Sequence, residues 1–284
     1  MGHVVSQVLL ANDLQVVTCL AGRSERTQRL SRLAGVTELS DYDTVVSKAQ
    51  LILSILPPAS AEGCAELYAA AVRRVCVNAD APVYADCNAV SPTTTRRIGE
   101  IVAESGSLFV DGSIIGPPPR EKGSTRFYAS GPDLDLFLQL QQFGLDVRVV
   151  GPEIGQASGI KMTYAALTKG WAALSFELLM AARSMKLDAA LKEEFELSQQ
   201  DHYQSMQRLL QVMPSKSRRW VAEMREISKT FGDLGFSGQL HEGAAQIYEL
   251  IGSTSLGDEN PETVDHNRPL STLIDQLVSE LKRK

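Results

Sequence analysis

The feature that most restricts the fold is a change of texture at residue 151. Before it, the short apolar runs LQVVTCLA, LILSIL, VYADC, SLFVDG, TRFYAS and VRVV alternate with amphipathic stretches over residues 25–33, 59–72, 92–103 and 132–143. Apolar, β-branched runs bounded by turn signals predict strands, and apolar positions repeating every three or four residues predict helices. Such alternation closes into a doubly wound, mainly parallel α/β sheet. LILSIL lacks polar alternation, which fits a strand covered on both faces. After Gly151 the strand signals vanish. Helices are predicted over 156–185, 191–211, 216–231, 238–251 and 270–281, with breaks at Met213-Pro214 and at GDENPE, 257–262. The predicted organisation is therefore a nucleotide-binding α/β domain, 1–151, followed by an all-α domain, 152–284, with the boundary near Gly151-Pro152.

Composition narrows the function classes. A net charge of −6 argues against a nucleic-acid partner, which selects a basic face. Cys19, Cys64, Cys76 and Cys87 fall singly, without C-x-x-C, and the histidines are equally scattered. That pattern suits a reducing, cytoplasmic compartment and predicts neither a disulfide framework nor a metal site. No apolar run approaches the ~20 residues that span a bilayer, and the N-terminus lacks the pattern of a signal sequence.

The opening MGHVVSQVLLANDLQVVTCLAGRSE reads as a helix from Gly2 to Leu10, a buried strand from Leu14 to Ala21, then GRSE. This is the order of the second half of a dinucleotide-binding βαβ unit, and Gly2 stands where the last glycine of G-x-G-x-x-G belongs. The first strand and the earlier glycines are absent from the sequence. That strand would be central, and its loss costs about 1–3 kcal/mol for each neighbouring backbone group left buried and unsatisfied. Two readings stand: a chain shortened relative to the working protein, which is preferred, or a degenerate relative.

The strand ending Leu20-Ala21-Gly22 carries no carboxylate of the kind that selects NAD. Arg23, Ser24 and Arg26 are instead suited to gripping a 2′-phosphate, which favours NADP over NAD if a dinucleotide binds. The alternative is a solvated helix start, since Arg29 and Arg32 continue the basic face. Leu56, Pro57 and Pro58 follow LILSI at a strand's carboxyl end, where ligands bind in such sheets. A rigid strand-to-helix turn explains them equally well.

GPEIGQASGIKMTYAALTKG is the most informative stretch. Lys161 has Ala157 and Ala165 four residues to either side, Ser158 and Tyr164 at three, and Thr168 at seven, so its face is small and mostly apolar. Gly155 and Gly159 permit a close approach to the backbone. Lys161 is thus either a lysine that packs its stem and keeps its head in water, or a pocket lysine with a pKa lowered by desolvation that exchanges a proton during hydride transfer. Lys169, further round the helix and nearer Trp171, reads as structural.

With these pieces placed, the chain resembles the β-hydroxyacid dehydrogenase superfamily, the group of 6-phosphogluconate and 3-hydroxyisobutyrate dehydrogenases. The resemblance runs over nearly the whole length and rests on ILSILPP, YADCNAVSP, FVDGSIIGPPP and GQASGIKMTYAALTKG. RRWVAEMREISKTF and HEGAAQIYELI are similar to a 6-phosphogluconate-dehydrogenase-like C-terminal branch. The resemblance implies a Rossmann-like sheet, here without its first strand, an NAD(P)-dependent oxidoreductase acting on a small molecule, and a homodimer formed through the helical domain. It implies Lys161 as general acid/base, Asn88 beside the nicotinamide, Ser113, Ile114, Ile115, Gly116 and Pro117 in the substrate loop, and Arg23 with Ser24 at the adenosine phosphate. Gly2 matches the last fingerprint glycine. Ile115-Gly116-Pro117 replaces Ser-Gly-Gly, Ala165 replaces an asparagine one turn after the lysine, and Glu223 stands where a basic residue closes the site. These departures shift the expected substrate from simple 3-hydroxy acids to a larger or less acidic hydroxy, keto or imine compound, with Tyr164 and Ala165 lining its site. The alternative function is an inactive dimeric relic or binding module without a competent cofactor site.

Overall fold

The computed structural model describes residues 1–77 and 80–282. Two compact units divide between Met162 and Thr163. In order, the first contains α1 (Gly2–Ala11), β1 (Val17–Thr18), α2 (Glu25–Leu33), β2 (Thr37–Glu38), α3 (Tyr42–Lys48), β3 (Leu51–Ser54) and α4 (Ala61–Val75). It continues with β4 (Val83–Asp86), α5 (Pro92–Ala103), β5 (Phe109–Ile115), β6 (Arg126–Ser130), α6 (Asp135–Leu138) and β7 (Asp146–Gly151). The 29-residue α7 (Gln156–Ser184) runs from the first unit into the second. There follow α8 (Asp188–Ser198), α9 (Gln200–Leu210), α10 (Ser217–Asp233), α11 (Gln239–Gly252) and α12 (Leu270–Leu281).

The strands form two sheets. A five-stranded sheet runs β3-β4-β5-β6-β7, with β3, β4 and β5 parallel, β6 antiparallel to β5, and β7 parallel to β6. A separate sheet holds only β1 and β2, paired in parallel. The doubly wound α/β class is as predicted, and the sheet is interrupted between β1 and β3. The buried strand predicted over 14–21 shrinks to half-buried Val17–Thr18. Among the described residues its ladder runs along the two exposed residues of β2, so little cross-strand burial extends it.

Alternation along the central strands sends side chains to two cores. Tyr84 and Phe109 pack with Tyr68, Val72 and Ile98 of α4 and α5 on one face; Ala85, Val110 and Ile114 pack with Val5, Leu9 and Phe137 on the other. Helix starts follow their caps. Ser91 accepts the Thr94 amide and Pro92 opens α5, while Asp41 accepts the Thr44 amide and opens α3. The helix predicted over 132–143 is a single α-turn followed by a 3₁₀ segment, Gln139–Phe143. The one predicted over 191–211 breaks at Gln199, whose φ of −140° leaves the helical region.

Candidate active site at the strand carboxyl ends

Two aspartates organise the carboxyl ends of the parallel strands. Asp86 ends β4, and its register partner on β5 is Asp111. Both are buried, at 1% and 0% exposure. Asp111 receives five hydrogen bonds. Its Oδ2 accepts from the amides of Gly155 (2.8 Å), Ala157 (3.1 Å) and Ser158 (3.1 Å) and from Ser130 Oγ (2.8 Å), and its Oδ1 accepts from Ser158 Oγ (2.6 Å). These amides are orphan donors of the first turn of α7, so a strand carboxylate caps the helix from a distance in sequence. Burial pushes Asp111 up, and the hydrogen bonds of Ser158, Ser130 and Gly155 oppose it.

Asp86 lacks such support. Its Oδ1 accepts the Asn88 amide at 2.7 Å, while its Oδ2 is buried without a partner among the described residues. Burial pushes its pKa up to about 7; the Asn88 amide opposes this, and the charge of Asp111 adds to it. Asp86 therefore holds a proton under conditions where an exposed carboxyl has lost it. Asn88 in turn ties two strand ends together: its Nδ2 donates to Ser54 Oγ at 2.9 Å and its Oδ1 accepts the Leu56 amide.

The helix that Asp111 caps carries Lys161. Ser113 Oγ donates to the Ala157 carbonyl (2.7 Å), and Lys161 Nζ donates to the Ile114 carbonyl (2.7 Å), near the carboxyl end of β5. The half-buried ammonium is held against the strand end, on a face where Ala157, Ser158 and Ala165 are at most 2% exposed. The close approach at Gly155 and Gly159 comes from α5. A Cβ at Gly155, whose φ is +107°, would lie 3.2 Å from Pro92 Cβ, and one at Gly159 would lie 3.8 Å from Pro92 Cγ.

The other sequence-predicted residues fall as follows. Ser113, Ile114 and Ile115 are buried in β5, and Gly116 is exposed just beyond it. Leu56 is half-buried, Pro57 exposed and Pro58 buried, in the turn after β3. Arg23 is half-buried past β1, near enough to Tyr42 to act on its ionisation. Ser24 is the N-cap of α2, accepting the Thr27 amide at 3.3 Å, and Arg26 is exposed on that helix. A Cβ at Gly2 would meet nothing within 4 Å, so local packing does not itself call for glycine there. Tyr164 is 49% exposed, on the part of α7 that belongs to the second unit. Lys169 is buried and ion-paired with Glu223 of α10, under the Trp220 ring. Among the described residues, no group of three or more His, Cys, Asp or Glu side chains is placed to hold a metal ion, and no helix is long and apolar enough to cross a membrane. Asp86 and Asp111 were not singled out from sequence. Their signal was an acid inside each of two apolar runs, YADC and FVDG.

Comparison with known proteins places this geometry in context. The family described as a domain of unknown function, DUF1932, matches residues 182–251. An uncharacterized 28.5 kDa protein from Methanothermus fervidus is 32% identical over 185 residues, covering 65% of this chain and 68% of that protein. A solved structure of a conserved protein of unknown function, reported as structurally similar to 3-hydroxyacid dehydrogenases, is 30% identical with a TM-score of 0.64, over 88% of this chain and 92% of its own. The fold also matches Mycobacterium tuberculosis 3-hydroxyisobutyrate dehydrogenase with L-serine, at 15% identity and a TM-score of 0.64, over 98% and 95% of the two chains.

Proposed function

The chain belongs to the β-hydroxyacid dehydrogenase superfamily, and from that premise we propose that it is an NADP-dependent oxidoreductase acting on a hydroxy, keto or imine small molecule. The observation that carries the reading is the Lys161 ammonium, donated to the Ile114 carbonyl on a helix pinned by Asp111. A lysine built into a strand–helix junction at the ligand side of a parallel sheet is positioned, and positioning is what proton transfer requires.

The residues present fit a phosphorylated dinucleotide by their donor chemistry. Arg23, in the connection after β1, and Arg26, in the first turn of α2, carry guanidinium forks that would hold the 2′-phosphate. Asn88 and the Leu56-Pro57-Pro58 turn would flank the nicotinamide, with Asn88 fixed in one orientation by Ser54 and Leu56. The bound cofactor supplies a hydride donor or acceptor at carbon. Lys161 Nζ then gives a proton to the substrate oxygen or nitrogen on reduction and takes it back on oxidation. The Ile114 carbonyl, with no proton to offer, holds the amine aimed at the strand end. Gly116, exposed just beyond β5, would contact the substrate, while Ser113, Ile114 and Ile115, buried in that strand, would set the position of the loop and not touch the ligand. Its acidic group, if any, is not served by a Ser-Gly-Gly turn, since Ile115-Gly116-Pro117 stands there.

The proposal includes a homodimer formed through the helical unit. Tyr164, Leu167 and Leu174 recur along α7 at three- and seven-residue spacing and are 49%, 72% and 56% exposed. Four free thiols fit a reducing cytoplasm.

One observation favours a second reading, a protein that has kept the architecture and lost the cofactor: the sheet is interrupted between β1 and β3. NADPH fluorescence titration separates the two. The oxidoreductase reading expects saturable NADPH binding, weaker binding of NADH, and loss of that preference on Arg23→Gln with Arg26→Gln. Binding of neither nucleotide would replace it with the second reading.

A further inference from the structure

The connection from β1 into α2 is organised around Arg23, and one of the residues that hold it has had no part so far. The chain leaves β1 through the turn Leu20-Ala21-Gly22-Arg23. The Arg23 N–H closes that turn by donating to the Leu20 carbonyl at 3.0 Å, with Gly22 at a φ of +71°. A positive φ at the third turn position is where glycine is favoured. On its other side, the Arg23 carbonyl accepts Nε2 of Gln28 at 2.9 Å. Gln28 lies in the second turn of α2, where its own backbone N–H donates to the Ser24 carbonyl at 3.0 Å. One residue thus closes two successive carbonyls at the helix entry.

The Gln28 side chain is itself held. Its Oε1 accepts from Arg32 Nη2 at 3.3 Å, one turn further along α2. A donor from Arg32 and an acceptor on Arg23 select one orientation of the amide between them; reversed, it would set oxygen against a carbonyl and NH2 against a guanidinium. The cap beside it is closed as well, since Ser24 Oγ accepts the Thr27 amide at 3.3 Å and lies 3.1 Å from Thr27 Oγ1. Both backbone polar groups of Arg23 are therefore engaged. That fixes the backbone on either side of its Cα, and with it the directions open to the half-buried side chain.

We propose that Gln28 is the positioning residue that sets the preference for a phosphorylated nucleotide: by closing on the Arg23 carbonyl it holds the Arg23 guanidinium ready for the 2′-phosphate. The inference rests on the oxidoreductase reading and adds to it a specificity residue that touches no ligand. A guanidinium fork meets two phosphate oxygens only when its plane is set, and setting it before the ligand arrives removes an ordering cost from binding. The ribose hydroxyl of NADH makes no such demand, so Gln28 acts on one nucleotide and not on the other. Its amide is neutral, which separates this effect from the general positive charge of α2.

The test is a double-mutant cycle read by NADPH and NADH fluorescence titration on the unaltered chain, Gln28→Met, Arg23→Gln and the two together. Methionine matches glutamine in length and charge and lacks both hydrogen-bonding groups. Gln28→Met should raise the NADPH Kd about tenfold, the loss of one oriented charge-assisted contact. The NADH Kd should stay within about twofold, which also shows that the altered chain is folded. In the Arg23→Gln chain, where no guanidinium remains to be held, adding Gln28→Met should change the NADPH Kd by less than about twofold. An unchanged NADPH preference in Gln28→Met, an equal loss for both nucleotides, or a further tenfold loss in the Arg23→Gln background each overturns the inference while leaving the nucleotide reading in place. Absence of NADPH binding by the unaltered chain overturns both.

Discussion

Replacing Asp86 by Asn should make the protein more stable at neutral pH and change how its stability depends on pH. The carboxyl of Asp86 is raised to about 7 from an ordinary 3.8, first by burial and further by the neighbouring charge of Asp111. Between those two values the folded chain holds a proton that the unfolded chain has released, so stability falls as pH rises. The contribution is complete at and below about pH 4, declines by about 1.4 kcal/mol per unit, and is gone above pH 7, a total of about 4 kcal/mol. Asparagine has the same shape, still accepts the Asn88 amide, and cannot ionise. The difference in unfolding free energy between Asp86→Asn and the unaltered chain should therefore widen by about 2–3 kcal/mol from pH 5 to pH 8. Urea denaturation at pH 5, 6, 7 and 8 measures it, and the subtraction removes groups that both chains share, including His241, whose pKa burial lowers. Two curves that stay parallel across this range would show that Asp86 is ionised throughout, refuting the reasoning.

Three more outcomes follow from the same contacts. Asp111→Ala leaves the amides of Gly155, Ala157 and Ser158 without their common acceptor; it should cost about 3 kcal/mol or more and speed amide exchange in the first turn of α7, whereas a loss below about 1 kcal/mol would mean the turn is held by other contacts. Glu223→Gln removes the carboxylate paired with the buried Lys169 ammonium and should cost about 3–5 kcal/mol by urea denaturation; Lys169→Met combined with Glu223→Leu should recover most of that, and failure to recover would place the cost elsewhere. Leu167→Glu sets a charge in the exposed apolar stripe of α7 and should convert a dimer to a monomer in analytical ultracentrifugation, while a species of unchanged mass would remove that stripe from the interface.

Where the sequence carried its own boundary marks, the structure follows them. Ser91-Pro92 opens α5 at the predicted residue, Ser24 opens α2, and α12 spans Leu270–Leu281 as the apolar period required. The inward face of Lys161 was legible because its helical neighbours Ala157, Ser158 and Ala165 are too small to be anything but packing or pocket. The misses share a cause, dependence on partners remote in sequence. Thr37–Glu38 is an exposed dipeptide with no apolar signal, a strand only because β1 lies beside it. β1 itself reads as a long strand but pairs for two residues, since strand length is set by the ladder as well as by propensity. The short α3 announced itself only through the Ser40-Asp41 cap. The pairing of Asp86 with Asp111 needs the register of two strands joined through α5, and no local pattern encodes it.

The central claim is that Lys161 moves a proton while a nicotinamide exchanges a hydride. Its most direct test is single-turnover oxidation of NADPH, followed by absorbance with a panel of keto acids and imines, for the unaltered chain and for Lys161→Met. The account predicts that one carbonyl or imine class consumes NADPH, that Lys161→Met slows the step about 10²–10⁴-fold, and that NADPH affinity stays within a factor of two or so. An unchanged rate in the Lys161→Met chain would contradict it.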